Sequence, residues 1–444
     1  MSPAAALAAL RAEPGIPDLA ARRAMLHRLD KVMIRRAEEI AAALDADYGG
    51  RSRIETMLAD IILVADCARH ARRNLARWAR PRRHSVPFPF QPAGARVECV
   101  PMGVIGIMAP WNYPFQLALL PAIDALAAGN RVVIKPSELL PRSAALIAEI
   151  LAEAPGPGFA RVVQGGPDVA ADFAAQPWDH LVFTGGTATG RRVMRAAAET
   201  LTPLTLELGG KCPALVLPGA DLARAAREIL VGKAINAGQT CIAPDTVLLV
   251  GHGRADFTAA CRATGIALPE TALASDAQAA RMARFAEGAC LTPLGADRSP
   301  RHRAIALAEA PDDHPLLHEE VFGPILPVVE TADLPAALAW IAARPSPLAI
   351  YSFGATRAEE NTIAVGTRSG AIIAGRCVEQ AAIPGLPFGG LGQSGFGRYR
   401  GEAGFRAFSN QRVRMWRGTW SLSRLFDEPR GTWAEKIISR LLGH

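Results

Sequence analysis

Cys241 closes the hexapeptide Asn236-Ala237-Gly238-Gln239-Thr240-Cys241, and a carboxylate stands upstream in Glu207-Leu208-Gly209-Gly210-Lys211. A thiol in a glycine-containing turn, with a separate carboxylate, suits covalent catalysis followed by base-assisted release. A lone cysteine is more often a small buried hydrophobe; here its company shifts the balance. Phe183-Thr184-Gly185-Gly186-Thr187-Ala188-Thr189-Gly190 follows an apolar run and opens a helical one. Such a turn offers free backbone N–H groups and a positive helix end to a phosphate. Arg191 and Arg192 stand where a triphosphate loop needs Lys and Ser/Thr, which speaks against ATP. Lys135, Ser137 and Glu138 follow an apolar run, a base and an acid able to hold ribose hydroxyls or simply each other. Pro110-Trp111-Asn112-Tyr113-Pro114 sets an amide between two prolines. That amide could stabilise an oxyanion or close an Asx turn. The formal G-x-G-x-x-G at Gly390–Gly395 follows Pro384 and Pro387 rather than a strand, so it reads as coincidence. A cysteine protease needs a histidine to activate its thiol, and no histidine lies in a motif-like setting near the candidate acids.

The elements that must position these groups alternate. Val104–Met108, Val132–Ile134, Arg161–Val163, Leu181–Phe183 and Leu204–Leu206 read as buried strands, with helices at 115–127 and 142–153 between them. That rhythm predicts a parallel sheet covered on both faces, with ligands beyond the carboxyl ends of its strands. Before it, amphipathic helices are expected over 18–46, capped by Asp18, and over 53–79. The Pro- and Arg-rich stretch 80–88 reads as a connector, and Arg96–Val100 as a strand. A second mixed α/β pattern runs over 210–395, with strands at 214–217 and 247–250. Trp433, Ile437, Ile438, Leu441 and Leu442 could form one apolar helix face in the tail. Docking on the body or on a sister subunit is its expected use, ahead of peripheral contact with a membrane.

The chain has 444 residues, half of them hydrophobic, and a formal charge of +7. That length suits two or three domains. The positive charge is scattered and matches no nucleic-acid-binding module. Only Lys31, Lys135, Lys211, Lys233 and Lys436 are lysines; the other cations are arginines. A lysine kept in such a chain can mark a need for a compact ammonium. Seven dispersed cysteines without Cys/His spacing suggest neither zinc nor a disulfide framework, and fit a reducing, cytoplasmic setting. No metal, membrane span or signal peptide is expected.

Pro110–Pro114, Lys135–Glu138, Phe183–Gly190, Glu207–Lys211, Asn236–Cys241, Glu320-Val321-Phe322-Gly323-Pro324 and Pro387-Phe388-Gly389-Gly390 together resemble the NAD(P)-dependent aldehyde dehydrogenase superfamily. The motifs stand in order across nearly the whole chain. Arg69–Arg73, Phe90–Ala93, Ile242–Asp245 and Gly401–Arg406 are similar to its coniferyl aldehyde dehydrogenase branch. The resemblance implies an α/β fold: a Rossmann-type parallel-sheet cofactor domain, an α/β catalytic domain and a small oligomerisation β-element. It divides the chain into 1–208 for the N-terminal helices and cofactor domain (with 90–100 joining the oligomerisation element), 209–395 for catalysis, and 396–444 for oligomerisation segment and tail. It implies Cys241 as nucleophile, Asn112 and the Cys241 backbone N–H as oxyanion donors, and Glu207 as the base that releases the acid. Implied cofactor contacts are Trp111, Lys135, Ser137, Glu138, Gly185, Gly186, Gly190, Leu208, Glu320 and Phe322. The implied cofactor is NAD, with NADP as the alternative; the partners are an aromatic or medium-chain aldehyde and a second copy of the chain. Passing the acyl group to coenzyme A, or a catalytically weakened binding role, are the competing readings. A useful thiolate fraction requires some lowering of the thiol pKa from about 8.5. Three features depart from the family pattern: Gly186 in place of Ser or Asn, a short 251–318 segment, and Gly375–Glu379 without the usual Asn-containing sequence.

Overall fold

The computed structural model describes residues 1–444 except 422, 425, 426 and 444. Val104–Met108, Arg131–Lys135, Ala160–Val162, His180–Gly185 and Leu204–Leu208 form a parallel sheet. Their apolar runs need no alternation, because both faces are covered. The helix Pro114–Ala128 is buried along its whole length, as its lack of a polar face demands. It packs on this sheet and on the helices Leu63–Trp78 and Leu19–Arg35. The spatial order of the sheet places Leu204–Leu208, His180–Gly185, Val104–Met108, Arg131–Lys135 and Ala160–Val162 side by side. Strand order therefore reverses between Val104–Met108 and His180–Gly185, and a crevice opens beyond their carboxyl ends. Pro110–Asn112 and Gly185–Gly186 stand at that point.

A sixth strand, Gly395–Phe396, runs antiparallel beside Leu204–Leu208, with Gly395 opposite Glu207. Gly395 has φ +119°, and a β-carbon there would lie 1.9 Å from the Leu206 carbonyl oxygen. One at Gly390 would lie 2.0 Å from the Ser394 carbonyl oxygen. These glycines of the formal G-x-G-x-x-G serve close backbone packing.

The second sheet has seven strands, ordered Cys290–Pro293, Ala306–Glu309, Ile325–Thr331, Thr246–Val250, Pro213–Val216, Ala349–Phe353 and Ala371–Ala374. All neighbours are parallel except the first pair. The third sheet is antiparallel: Arg82–His84, Ala93–Pro101 and Ser409–Arg417, with Val97 opposite Val413. The 80–88 stretch is thus more than a connector. Its basic residues sit on an edge strand, where charge blunts further pairing.

The helix expected over 18–46 breaks at Arg36 (φ −92°, ψ 16°) into Leu19–Arg35 and Ala37–Tyr48. The Arg36 N–H bonds back to both Val32 and Ile34, which tightens the last turn and ends the helix. Asp18 caps the first piece, accepting from Ala21 N at 2.7 Å. The 53–79 segment contains a π-helical stretch, Thr56–Ile62, between Arg53–Glu55 and Leu63–Trp78. The tail forms the helix Thr432–Leu441, which buries Ala434 while Trp433, Ile438 and Leu441 stay exposed. Among the described residues no helix is long and apolar enough to cross a membrane.

Candidate active site

Cys241 follows a left-handed turn: Asn236, Ala237 and Gly238 have φ of 51°, 53° and 74°. Two non-glycine residues in that region cost on the order of 1–3 kcal/mol each. Their neighbours hold them there. Asn236 Nδ2 donates to Asn112 O at 3.0 Å and to Gln239 O at 3.1 Å. Asn236 N donates to Glu55 Oε2 at 3.1 Å. Gln239 Nε2 donates to Asn236 O at 2.9 Å and Ala272 O at 3.1 Å, and its Oε1 accepts from Ala274 N at 2.9 Å. Gly238 has no room for a side chain, since a β-carbon would lie 2.4 Å from Gly323 O. The short 251–318 segment therefore still reaches the turn before Cys241, through Ala272 and Ala274.

The strand Val104–Met108 delivers Asn112 to the same place, where Nδ2 donates to Gln239 O at 3.1 Å. Tyr113 and Thr240 share a hydroxyl hydrogen bond of 2.7 Å. Glu207 ends its strand almost fully buried, and neither carboxylate oxygen has a hydrogen-bond partner. Gly389 leaves it room: a β-carbon there would lie 3.1 Å from Glu207 Oε1.

Two cavities meet at Cys241, Leu117 and Phe388. The larger, about 380 Å³, is mostly apolar and is walled by Leu58, Ala59 and Ile62 of the π-helical stretch, with Tyr113, Ile242 and Arg400. The smaller, about 270 Å³, is lined by Trp111, Asn112, Gly185, Gly186, Glu207, Leu208, Arg281, Glu320 and Phe322. Tyr113 lines the larger cavity and Trp111 the smaller, while Phe115 is buried in the core.

Electrostatics differ from expectation at the thiol. Burial, then Glu320 and Glu207, push Cys241 up to about 12 rather than down, with Arg400 opposing. Burial likewise raises Glu207 well above the usual carboxyl range, against Arg400 and Arg398. Burial and then Asp245 raise Glu320 to about 8. A thiol this reluctant needs a strong nearby base, and a desolvated carboxylate is one.

The sequence-predicted cofactor residues fall into two groups. Trp111, Gly185, Gly186, Leu208, Glu320 and Phe322 surround the smaller cavity. Trp111 and Phe322 meet edge to face at 5.5 Å. Lys135, Ser137 and Glu138 lie outside that lining, at the end of the neighbouring strand. Lys135 Nζ donates to Glu138 Oε2 at 3.0 Å, and Ser137 Oγ accepts from Leu139 N at 3.3 Å. Burial disfavours charge on Glu138, yet its own backbone N–H and Lys135 outweigh that and hold it ionised. Gly190 serves packing, because a β-carbon would lie 2.7 Å from Leu208 Cδ2.

The smaller cavity fits a dinucleotide on three counts. It lies at the switch point of the parallel sheet. Gly185 and Gly186 open the helix Thr187–Ala198 beside it. Oε1 of Glu320 is buried without a partner.

Sequence reasoning missed several supports. Asp245 accepts from Lys211 Nζ at 2.6 Å and from Val321 N at 2.9 Å, clamping the loop that carries Glu320 and Phe322. The guanidinium of Arg281 donates to the carbonyls of Glu320 and Val321. Arg400 is buried, stacks 4.6 Å over Phe388 and opens on the larger cavity. Asp245 lay in a stretch already singled out, and Arg400 stands one residue before another, Gly401–Arg406; Arg281 had no local signal.

Set against known proteins, residues 3–413 match the model of the "Aldehyde dehydrogenase family". The chain is 38% identical over 448 residues to a probable coniferyl aldehyde dehydrogenase of Pseudomonas aeruginosa, covering 98% of this chain and 94% of that protein. It is 38% identical over 418 residues to a coniferyl aldehyde dehydrogenase of a Pseudomonas species, covering 90% and 86%. Among solved structures it superposes on the substrate-bound state of Staphylococcus aureus AldH, with TM-score 0.88 and 30% identity over 96% and 95% of the two chains. A second likeness is PnpE in complex with nicotinamide adenine dinucleotide, with TM-score 0.85 and 27% identity over 94% and 90%.

Proposed function

The chain belongs to the aldehyde dehydrogenase family, enzymes that oxidise an aldehyde with a nicotinamide cofactor, and from that premise we propose that Cys241, Asn112 and Glu207 carry the reaction on an aromatic aldehyde such as coniferyl aldehyde. The meeting of two cavities at one thiol is the observation that carries this reading: one side takes the aldehyde, the other the cofactor.

Cys241 Sγ bonds to the carbonyl carbon, and the thiol proton leaves to Glu207, whose desolvated carboxylate is basic enough to take it. Asn112 Nδ2 and the Cys241 N–H stabilise the oxygen that becomes negative. When bound, the cofactor supplies the two-electron oxidant that turns the adduct into a Cys241 thioester. Glu207, its first proton passed to solvent, then deprotonates the water that cleaves the thioester and frees the acid. The unpartnered Glu207 oxygens suit a group whose partner is a transient water.

Glu320 and Phe322 are assigned to the nicotinamide ribose, Gly185 with Gly186, Gly190 and Leu208 to the pyrophosphate turn, and Lys135, Ser137 and Glu138 to the adenosine ribose, with Trp111 on the cavity wall. The ionised Glu138 favours NAD over NADP, since it repels a 2′-phosphate. Residues 1–208 act as the cofactor unit, 209–395 as the catalytic unit, and the exposed strand Ser409–Arg417 with the tail joins two copies in the cytoplasm.

The test is NADH and NADPH formation with a panel of aromatic and medium-chain aldehydes. Cys241→Ala abolishes turnover and spares NAD binding. A folded protein silent with every aldehyde and both cofactors defeats the substrate reading, and turnover by Cys241→Ala defeats the nucleophile.

A further inference from the structure

The side chain of Arg51 is wholly buried, yet its salt bridge to Asp60, 3.3 Å away, is the least of its contacts. Nη1 donates to Asn112 O at 3.1 Å and to Oδ1 of Asn236. The guanidinium carbon lies 4.9 Å from the ring centre of Tyr48 and 5.0 Å from that of Tyr113. The Asn112 carbonyl also accepts from Tyr48 Oη at 3.1 Å and Asn236 Nδ2 at 3.0 Å. Three donors thus fix one carbonyl, on the residue whose side-chain amide reaches Gln239 O. The same cation grips Asn236, the first residue of the left-handed turn before Cys241. Asp60 links this knot outward. It sits in the π-helical stretch Thr56–Ile62, and its Oδ1 accepts from Gln116 N at 3.0 Å. Leu58, Ala59 and Ile62 of that stretch line the larger cavity.

A buried arginine–aspartate pair is a poor stabiliser on its own, since desolvation offsets the attraction. Nη2 of Arg51 reaches Asp60, while Nη1 goes to the two asparagines on either side of the thiol. We infer that Arg51 is a positioning residue: it sets the Asn112 amide against the Cys241 turn and, through Asp60, ties both to the wall of the aldehyde cavity. The inference rests on Asn112 as oxyanion donor. A misplacement near 1 Å at such a donor costs about 100-fold in rate.

Alkylation of Cys241 by iodoacetamide separates positioning from general loosening. It forms one S–C bond, expels iodide and develops no oxyanion, so it reads the thiol without Asn112. In the full chain, Asn112→Ala is expected to lower kcat about 10²–10³-fold. Arg51→Met and Arg51→Lys are expected to lower kcat at least about tenfold, with alkylation within about threefold of wild type and the KM for NAD unchanged. Should Arg51→Met fail to fold, Arg51→Lys decides, because it keeps a charge opposite Asp60 but cannot bridge both asparagines. Wild-type kcat in the Arg51 variants, or alkylation falling in step with kcat, overturns the proposal. Wild-type kcat in Asn112→Ala overturns the oxyanion assignment itself and the Arg51 role with it. A slow Asn112→Ala beside a fast Arg51→Lys overturns the Arg51 role alone.

Discussion

Gly209 and Glu320 occupy one space: a β-carbon on Gly209 would lie 1.9 Å from Oε2 of Glu320 and 2.5 Å from its carboxyl carbon. The carboxylate folds back over the backbone of the motif that carries Glu207, where the Gly210 N–H bonds to it. Two motifs far apart in sequence therefore build one wall of the smaller cavity.

Gly209→Ala must push Glu320 out of that position. The Kd for NAD is expected to rise about tenfold, the loss of roughly one hydrogen bond, with the melting temperature little changed. Fluorescence titration of the cofactor checks this. An unaltered Kd would show that Glu320 does not hold the cofactor.

Only ionised Glu207 can take a proton from water, and burial raises its carboxyl well above the ordinary range. Acid release should therefore accelerate as pH rises through that raised value, then level off. Stability runs the other way. The native state retains a proton that the unfolded chain gives up, so the contribution is full below the unfolded pKa and is lost as pH climbs through the native one. Glu207→Gln is expected to lower kcat about 10²–10⁴-fold and to erase the rising limb. A limb that survives in the pH–kcat profile of this variant places the base elsewhere.

Gly186 caps the helix Thr187–Ala198 without a side-chain hydrogen bond, at φ −71°, and an added β-carbon would meet nothing within 4 Å. Gly186→Ser fits and supplies the missing cap. The expected gain is a few tenths of a kcal/mol, up to about 1 kcal/mol. A higher urea midpoint at constant slope is the supporting result; a lower one contradicts the assignment of free space.

Burial lowers the His180 pKa from 6.5 to about 4, while its Nε2 shares a 2.9 Å hydrogen bond with Thr205 Oγ1. A depressed group contributes stability above its unfolded value, and that stability drains as pH falls from 6.5 toward 4. The loss amounts to about 3 kcal/mol at most. His180→Gln, measured by denaturant unfolding over that window, is expected to flatten the slope. An equally steep decline would assign the acid sensitivity to other groups.

Cys241, Asn112 and Glu207 were legible because each sits in a local motif, and Gly185 and Glu320 for the same reason. The parallel sheet was legible from its apolar runs. What escaped depends on side chains that meet across the chain. Arg51 reads locally as one more arginine; only the fold brings it to Asn112 and Asn236. The break at Arg36 was invisible because apolar periodicity continues through it, and the π-helical stretch was invisible because one extra residue per turn barely disturbs that pattern. The upward shift of the thiol was not legible because sequence does not show how little water surrounds it.

The short strand Gly395–Phe396 beside Glu207 also bears on how the enzyme is made. Synthesis proceeds from the N-terminus, and domains fold as they emerge. The strand that carries Glu207 is ready early, but its outer neighbour comes only after the last strand of the second sheet has been translated. Until then that strand presents an open, apolar edge, a template for pairing with any nascent chain nearby. A ribosome stalled before residue 395 thus holds a product whose sticky margin is the strand that carries Glu207. The step that closes the sheet beside Glu207 is the same step that removes this edge from the newborn protein.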